Sequence, residues 1–174
     1  MAGLKTRDAI RQFRLFADVL SPAQLDELGS QCRACYFRPG SILMSQGDFG
    51  NSMFGILDGT VSVSFFDPSA YNNEVTTLTA GEVVGEMALL TGDRRTATAT
   101  AVTNVDALEI GKPALEQIFA KAPYLVESFA ASLTIRRAIL DEIAAEHAEP
   151  IRTHLVRQIR KVFAGILGTE ARPD

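Results

Sequence analysis

Residues 81–98 read GEVVGEMALLTGDRRTAT, a run of helix formers set between glycines. Glu86 to Leu90 are good helix formers, and Thr91-Gly92 ends them. The text on both sides is β-like, so one helical turn is set between strands. Gly85 precedes that turn and lets backbone approach a ligand closely. The first amides of a helix lack intrahelical acceptors and suit an anion. Arg95 arrives a few residues later, at the start of a strand expected over Thr96–Thr100. A guanidinium grips a phosphate through two parallel hydrogen bonds. Glu86 is out of place beside an anion, unless its carboxylate accepts a hydrogen bond from a sugar hydroxyl on the same ligand. Phosphate and ribose hydroxyl read this close together describe a nucleotide. The plainer reading is also open: a Gly-Glu pair in a turn and an Arg-Arg pair at a strand edge are each common.

Upstream of this stretch the chain reads as short β segments from Phe37, and after it they continue to Ile110. They are punctuated by Pro39-Gly40, Gly47-Asp48, Asp58-Gly59 and Thr79-Ala80-Gly81. Thr60 to Phe65 alternates strictly, with Val61, Val63 and Phe65 against Thr60, Ser62 and Ser64, which predicts a half-buried strand. Asp58-Gly59 just before it is a hairpin signal. Many short strands at this spacing predict a mainly β domain, a sandwich or jelly-roll barrel. Helices flank it. Ile10, Phe13 and Phe16 have helical spacing over Arg7–Phe16, and Ser21-Pro22 opens a second helix carrying Leu25, Leu28 and Cys32. After Lys112-Pro113 the pattern is helical again, with a short helix over Ala114–Ala120 and a long one from Pro123 to about Glu149, where Pro150 intervenes. The expected division is a helical segment over 1–34 and a barrel over 35–111 with 81–98 as its insertion. Hinge and lid helices over 112–149 and an amphipathic helix and tail over 150–174 complete it.

Composition narrows the function classes. Apolar residues make up 47% of 174 residues, enough for one folded domain. Lys plus Arg number 17 against 21 Asp plus Glu, a net charge of -4, which argues against nucleic acid as a partner. No apolar run approaches the roughly 20 residues that span a bilayer, and the start, MAGLKTRDAIRQF, lacks a secretory apolar core, so a cytoplasmic location is expected. Cys32 and Cys35 have C-x-x-C spacing, but the two histidines, His147 and His154, lie far away, so no metal site is expected and the cysteines are read as small apolar packing residues. No nucleophile–base pair stands out, so no enzyme is expected.

The stretch Val84–Thr98 resembles the phosphate-binding cassette of the cyclic-nucleotide-binding domain family, roughly F-G-E-x-A-L-[apolar]-x-G-x-P-R-[ST/A]-A-T, without a gap. Arg38-Pro39-Gly40, Gln46-Gly47-Asp48 and Leu57-Asp58-Gly59-Thr60-Val61 also match the family's strand-and-turn pattern, and the resemblance covers about Phe16 to Leu140. It implies a jelly-roll barrel with N-terminal helices and C-terminal lid helices, and cAMP or cGMP as ligand. By position, it implies that Arg95 pairs with the cyclic phosphate and Glu86 holds the ribose 2'-hydroxyl. Backbone N–H groups around Gly85, Met87 and Ala88 complete the cradle. Thr96 carries the hydroxyl that goes with tolerance of cGMP in the family, so both nucleotides stay open. Two positions depart from the pattern: Val84 stands where an aromatic is usual, and Arg94 where proline is usual. Arg94 then either adds charge beside the phosphate or sits in solvent.

Leu125, Phe129, Leu133, Leu140 and Ile143 form one helical stripe, and Arg136 falls in its middle. A charge within an apolar stripe needs a partner. Snorkelling or a salt bridge would serve; so would stacking on a purine. The family resemblance, which includes an Arg-Arg pair like Arg136-Arg137 in one branch, implies that Arg136 caps the base. Ile151, Leu155, Ile159, Val162, Phe163 and Ile166 make a final apolar face opposite Arg157, Arg160 and Lys161. That helix is expected to pack on its own barrel or on a second copy, with a membrane surface as the other possibility. Leu155–Phe163, LVRQIRKVF, resembles the end of bacterial cyclic-nucleotide-gated channels related to the mechanosensitive channel family, and Ile10–Phe16, IRQFRLF, would be the linker side. The resemblance implies a channel's cytoplasmic sensor whose partner is the membrane pore. The alternatives are a free-standing sensor acting on a partner protein and a truncated catabolite-activator-type transcription regulator.

Overall fold

The computed structural model describes residues 2–64, 75–141 and 151–167. Helices α1 (Ala2–Ala9), α2 (Arg14–Ala17) and α3 (Pro22–Ser30) lead into eight strands. These are β1 (Arg33–Phe37), β2 (Ile42–Met44), β3 (Ser52–Asp58), β4 (Val61–Ser64), β5 (Val75–Leu78), β6 (Val83–Val84), β7 (Thr98–Ala101) and β8 (Val105–Gly111). Helix α4 (Glu86–Thr91) interrupts them between β6 and β7, and α5 (Lys112–Lys121), α6 (Leu125–Asp141), α7 (Ile151–Val162) and α8 (Ala164–Leu167) follow. The strands form two four-stranded antiparallel sheets, in the orders β1-β8-β3-β6 and β2-β7-β4-β5. The fold is the expected jelly-roll barrel with flanking helices.

Side-chain alternation explains why the barrel is covered. In β3 and β8, Phe54, Ile56, Val105 and Ala107 face between the sheets, while Met53, Leu108 and Ile110 face the helices. Both strands are therefore apolar on both faces, as a central strand clad on its two sides must be. On β4 the predicted alternation holds: Val61 is fully buried and Val63 packs against the inner cluster. Phe65 lies outside the described residues.

Four local expectations are corrected. The first helix is not continuous over Arg7–Phe16: α1 runs into a 3-10 turn at Ile10–Gln12, and Phe13 is extended at φ -90 and ψ 111 before α2 starts. The break turns the buried Phe13 ring onto Gly55 of β3, so closely that a Cβ there would overlap the ring. Asp58-Gly59 is not a hairpin, because β3 pairs with β8 and β6, whereas β4 pairs with β7 and β5. It is a corner between sheets, and Gly59 at φ 93 is pressed against the Asn104 carbonyl, where no side chain fits. Finally, the first strand begins at Arg33, ahead of Phe37, and the strand expected from Thr96 begins at Thr98. Gly55→Ala is expected to cost about 1–3 kcal/mol in chemical denaturation, since the Phe13 ring has no room to yield; an unchanged midpoint would refute the close-packing account.

Both cysteines are free thiols of intermediate burial, and Cys32 packs against the helical core, whereas Cys35 lies in a strand and not at a helix end. Cys32 follows α3 with its thiol directed at the Leu28 carbonyl (3.2 Å), and Cys35 sits within β1. Burial pushes the Cys32 thiol up to about 12. Thiolate is the reactive form, so below that pH Cys32 stays protonated. At pH 8 it is expected to resist iodoacetamide in the native protein and to react once denaturant is added; alkylation of native Cys32 at the rate of a free thiol would contradict this.

The helical core is tied by aromatic edges. Phe16 meets Phe129 at 5.8 Å, Phe129 meets Phe119 at 5.4 Å, and Phe119 meets Phe163 at 5.1 Å, joining α2, α6, α5 and the end of α7. Leu125, Phe129 and Leu133 of the predicted stripe are all buried. Leu140 and Arg136 fall on α6, but their side chains, like all of Ile143, lie outside the described residues. Helix α7 packs on its own domain, with Ile159 and the following Phe163 buried, Val162 half-buried, and Arg157 and Lys161 exposed.

Candidate functional site

Helix α4 is held by two glycines. Gly85 at its N-cap and Gly92 at its C-cap are both left-handed, at φ 88 and 75, a conformation that residues with a Cβ adopt only under strain. This short unit is wedged by Ala88, Leu89 and Leu90, all buried. Helix geometry leaves the first-turn amides, among them those of Met87 and Ala88, without intrahelical acceptors. Glu86 stands at the first helical position, where the helix dipole favours a negative charge.

Arg95 is folded inward, 6% exposed. Its Nη1 donates to the Gly85 carbonyl at 2.7 Å and its Nη2 to the Ser52 carbonyl at 2.5 Å. The guanidinium lies against Gly50, where a Cβ would come within 2.7 Å of Cζ. Its backbone is fixed as well: the Arg95 amide donates to the Asp48 carbonyl at 2.8 Å, and the Gly47 amide donates to the Arg95 carbonyl at 2.9 Å. Among the described residues no carboxylate lies within ion-pair distance of it. Burial accordingly lowers the Arg95 pKa, with the charges of Glu86, Asp48 and Glu109 acting in the opposite sense. A buried cation held by neutral carbonyls retains N–H donors that an anion could accept from.

The structure thus brings Gly85, Glu86, Ala88 and Arg95 to one end of α4. Val84 is buried at the end of β6, packed in the barrel interior with Phe54 opposite it. The Met87 side chain packs on the helical core, which leaves its backbone for the site. Thr96 is exposed in the bend before β7. Ser52, Gly50 and Asp48 also build the Arg95 slot, and sequence reasoning missed them. They act through carbonyls and through the lack of a side chain, so residue type carried little signal beyond the turn at Gly47-Asp48.

The C-terminal side of α4 meets α7. Gln158 Nε2 donates to Asp93 at 3.2 Å, and Thr91 Oγ1 donates to Asp93 at 2.9 Å. Gly92 is so close to Val162 that a Cβ would lie 2.8 Å from it. A hollow of about 310 Å³ lies beside this junction, lined by Phe49, Gly50, Asn51, Ala88, Lys112 and Val162 among others. It shares Gly50 and Ala88 with the surroundings of the guanidinium, while Glu86, Arg95 and Thr96 are not in its lining.

The family model for the cyclic nucleotide-binding domain matches residues 34–122, just over half of the chain. The chain belongs to the cyclic nucleotide-binding domain family. It is 31% identical over 135 residues to a cyclic nucleotide-gated potassium channel of Mesorhizobium japonicum, across 75% of this chain and 36% of the channel. It is 25% identical over 108 residues to a CRP-like cAMP-activated global transcriptional regulator of Mycobacterium tuberculosis, across 62% of this chain and 48% of the regulator. The regulatory domain of Toxoplasma gondii PKA, solved with cAMP, superposes with a TM-score of 0.63 at 24% identity, covering 80% of this chain and 53% of that one. The chain therefore spans about a third of the channel's length and about half of the regulator's. Among the described residues no helix is long and apolar enough to cross a membrane.

Proposed function

We propose that this cyclic nucleotide-binding domain captures cAMP or cGMP at the N-terminal end of α4 and serves as the cytoplasmic ligand sensor of a bacterial cyclic-nucleotide-gated ion channel. The observation that carries the capture is Arg95: a buried guanidinium, anchored on two carbonyls, beside the first-turn amides of α4. In this reading the Arg95 donors left over by Gly85 and Ser52 meet the cyclic phosphate, joined by the amides around Gly85, Met87 and Ala88. Glu86 accepts from the ribose 2'-hydroxyl. Thr96, exposed at the bend, faces phosphate and purine, while Arg136 on α6 faces the base. The channel output is supported by the similarity to the Mesorhizobium japonicum channel over three quarters of this chain.

Helix α4 offers a route from ligand to output. Its N-terminal end holds the nucleotide site and its C-terminal end touches α7 through Gly92, Asp93, Gln158 and Val162. A ligand shifts such an arrangement only as far as it binds one position of α4 better than another.

Calorimetric titration with cAMP and with cGMP tests the capture; heat from at least one is expected, and heat from neither would sink it. Potassium flux into liposomes bearing the natural polypeptide tests the output. Flux raised by the nucleotide is expected, whereas nucleotide binding without any flux would assign the output to a partner protein.

A further inference from the structure

Sequence reading left Arg94 two places, beside the phosphate or in solvent, and it lies on the exposed side, over a neighbouring aromatic ring. Residues 94 and 95 point to opposite sides of an extended segment, so Arg95 goes in and Arg94 goes out. The Arg94 guanidinium lies over the loop that walls the Arg95 slot. Its Cζ sits 4.1 Å over the Phe49 ring, and its Nη1 donates to the Gly47 carbonyl at 2.8 Å. Phe49 and Arg94 also form a β-bridge. Phe49 is 69% exposed, so the ring gains little from burial in the core. The loop it belongs to holds Arg95 by the Gly47 amide, the Asp48 carbonyl, the close approach of Gly50 and the Ser52 carbonyl.

We propose that Arg94 and Phe49 form a cation–π clip that closes loop 47–52 onto the Arg95 segment, making both of them positioning residues for the phosphate-facing guanidinium. The proposal rests on the nucleotide-binding reading of Arg95. The clip keeps the slot assembled before ligand arrives, so affinity is not spent on ordering the loop. Arg94 touches no ligand on this account; its charge is engaged by an aromatic face and a carbonyl.

Two measurements on the full chain test it: hydrogen exchange of the Arg95 backbone amide in the nucleotide-free protein, and calorimetric titration with cAMP and cGMP. Phe49→Ala and Arg94→Ala are each expected to speed that exchange about fivefold and to weaken nucleotide binding by a similar factor. The double variant is expected to be no worse than the weaker single, because the two side chains form one contact. Phe49→Tyr, which keeps the ring face, is expected to restore wild-type behaviour. Unchanged exchange in Phe49→Ala would overturn the clip. So would an Arg94→Ala binding loss that Phe49→Ala does not share and that shrinks with added salt, since that pattern marks a direct phosphate contact. If the wild-type protein binds neither nucleotide, the capture reading fails, while the exchange rates still decide the clip.

Discussion

Arg95→Ala is expected to weaken cyclic-nucleotide binding by about tenfold to a hundredfold, the loss of a charge-assisted phosphate contact worth roughly 1.5–3 kcal/mol. The same substitution strips donors from the Gly85 and Ser52 carbonyls, so a lower unfolding midpoint accompanies it. Arg95→Lys separates the two effects. Lysine keeps the charge but is a point donor, without the planar fork that reaches two carbonyls and an anion together. It is expected to recover only a small part of the affinity. Calorimetry alongside thermal unfolding reads both quantities. Wild-type affinity in Arg95→Ala would remove the guanidinium from the site altogether.

Phe129→Ala is expected to cost about 3–5 kcal/mol of folding stability, the range for deleting a buried phenyl ring. Phe129 is fully buried, with Phe16 at 5.8 Å and Phe119 at 5.4 Å. This experiment decides what the first half of α6 does. The family resemblance implied hinge and lid helices over 112–149. In the fold, Leu125, Phe129 and Leu133 anchor the first half of α6 in the helical core. Urea denaturation gives the answer: a cost under about 1 kcal/mol would mean that α6 is loosely held and free to move as one piece.

Much of the molecule was legible without coordinates, where the signal is local. Ser21-Pro22 produced the expected cap, with the Gln24 amide donating to Ser21 Oγ and the Ser21 amide donating to Gln24 Oε1. The inserted helical turn lies at Glu86–Thr91, bounded by Gly85 and Gly92. Pairing partners were less accessible. Asp58-Gly59 carries a hairpin signal, yet the chain turns there into the other sheet, because a turn sequence sets a local bend and not the strand that comes alongside. Phe13 likewise has helical spacing, and its helix breaks because the ring is needed at Gly55, forty-two positions away.

In the insertion GEVVGEMALLTGDRRTAT, residue type and order predicted the short helix between glycines, and the family resemblance implied the cyclic nucleotide. How Arg95 is held and what Arg94 touches follow from tertiary contacts. Ser52, Gly50 and Asp48 serve Arg95 through main-chain atoms and through empty space, which any sequence can supply, and Phe49 meets Arg94 only because loop and cassette are folded together. The contact of α7 with the C-terminal end of α4 has the same origin: an apolar stripe states that a helix will pack, and the packed molecule states against what.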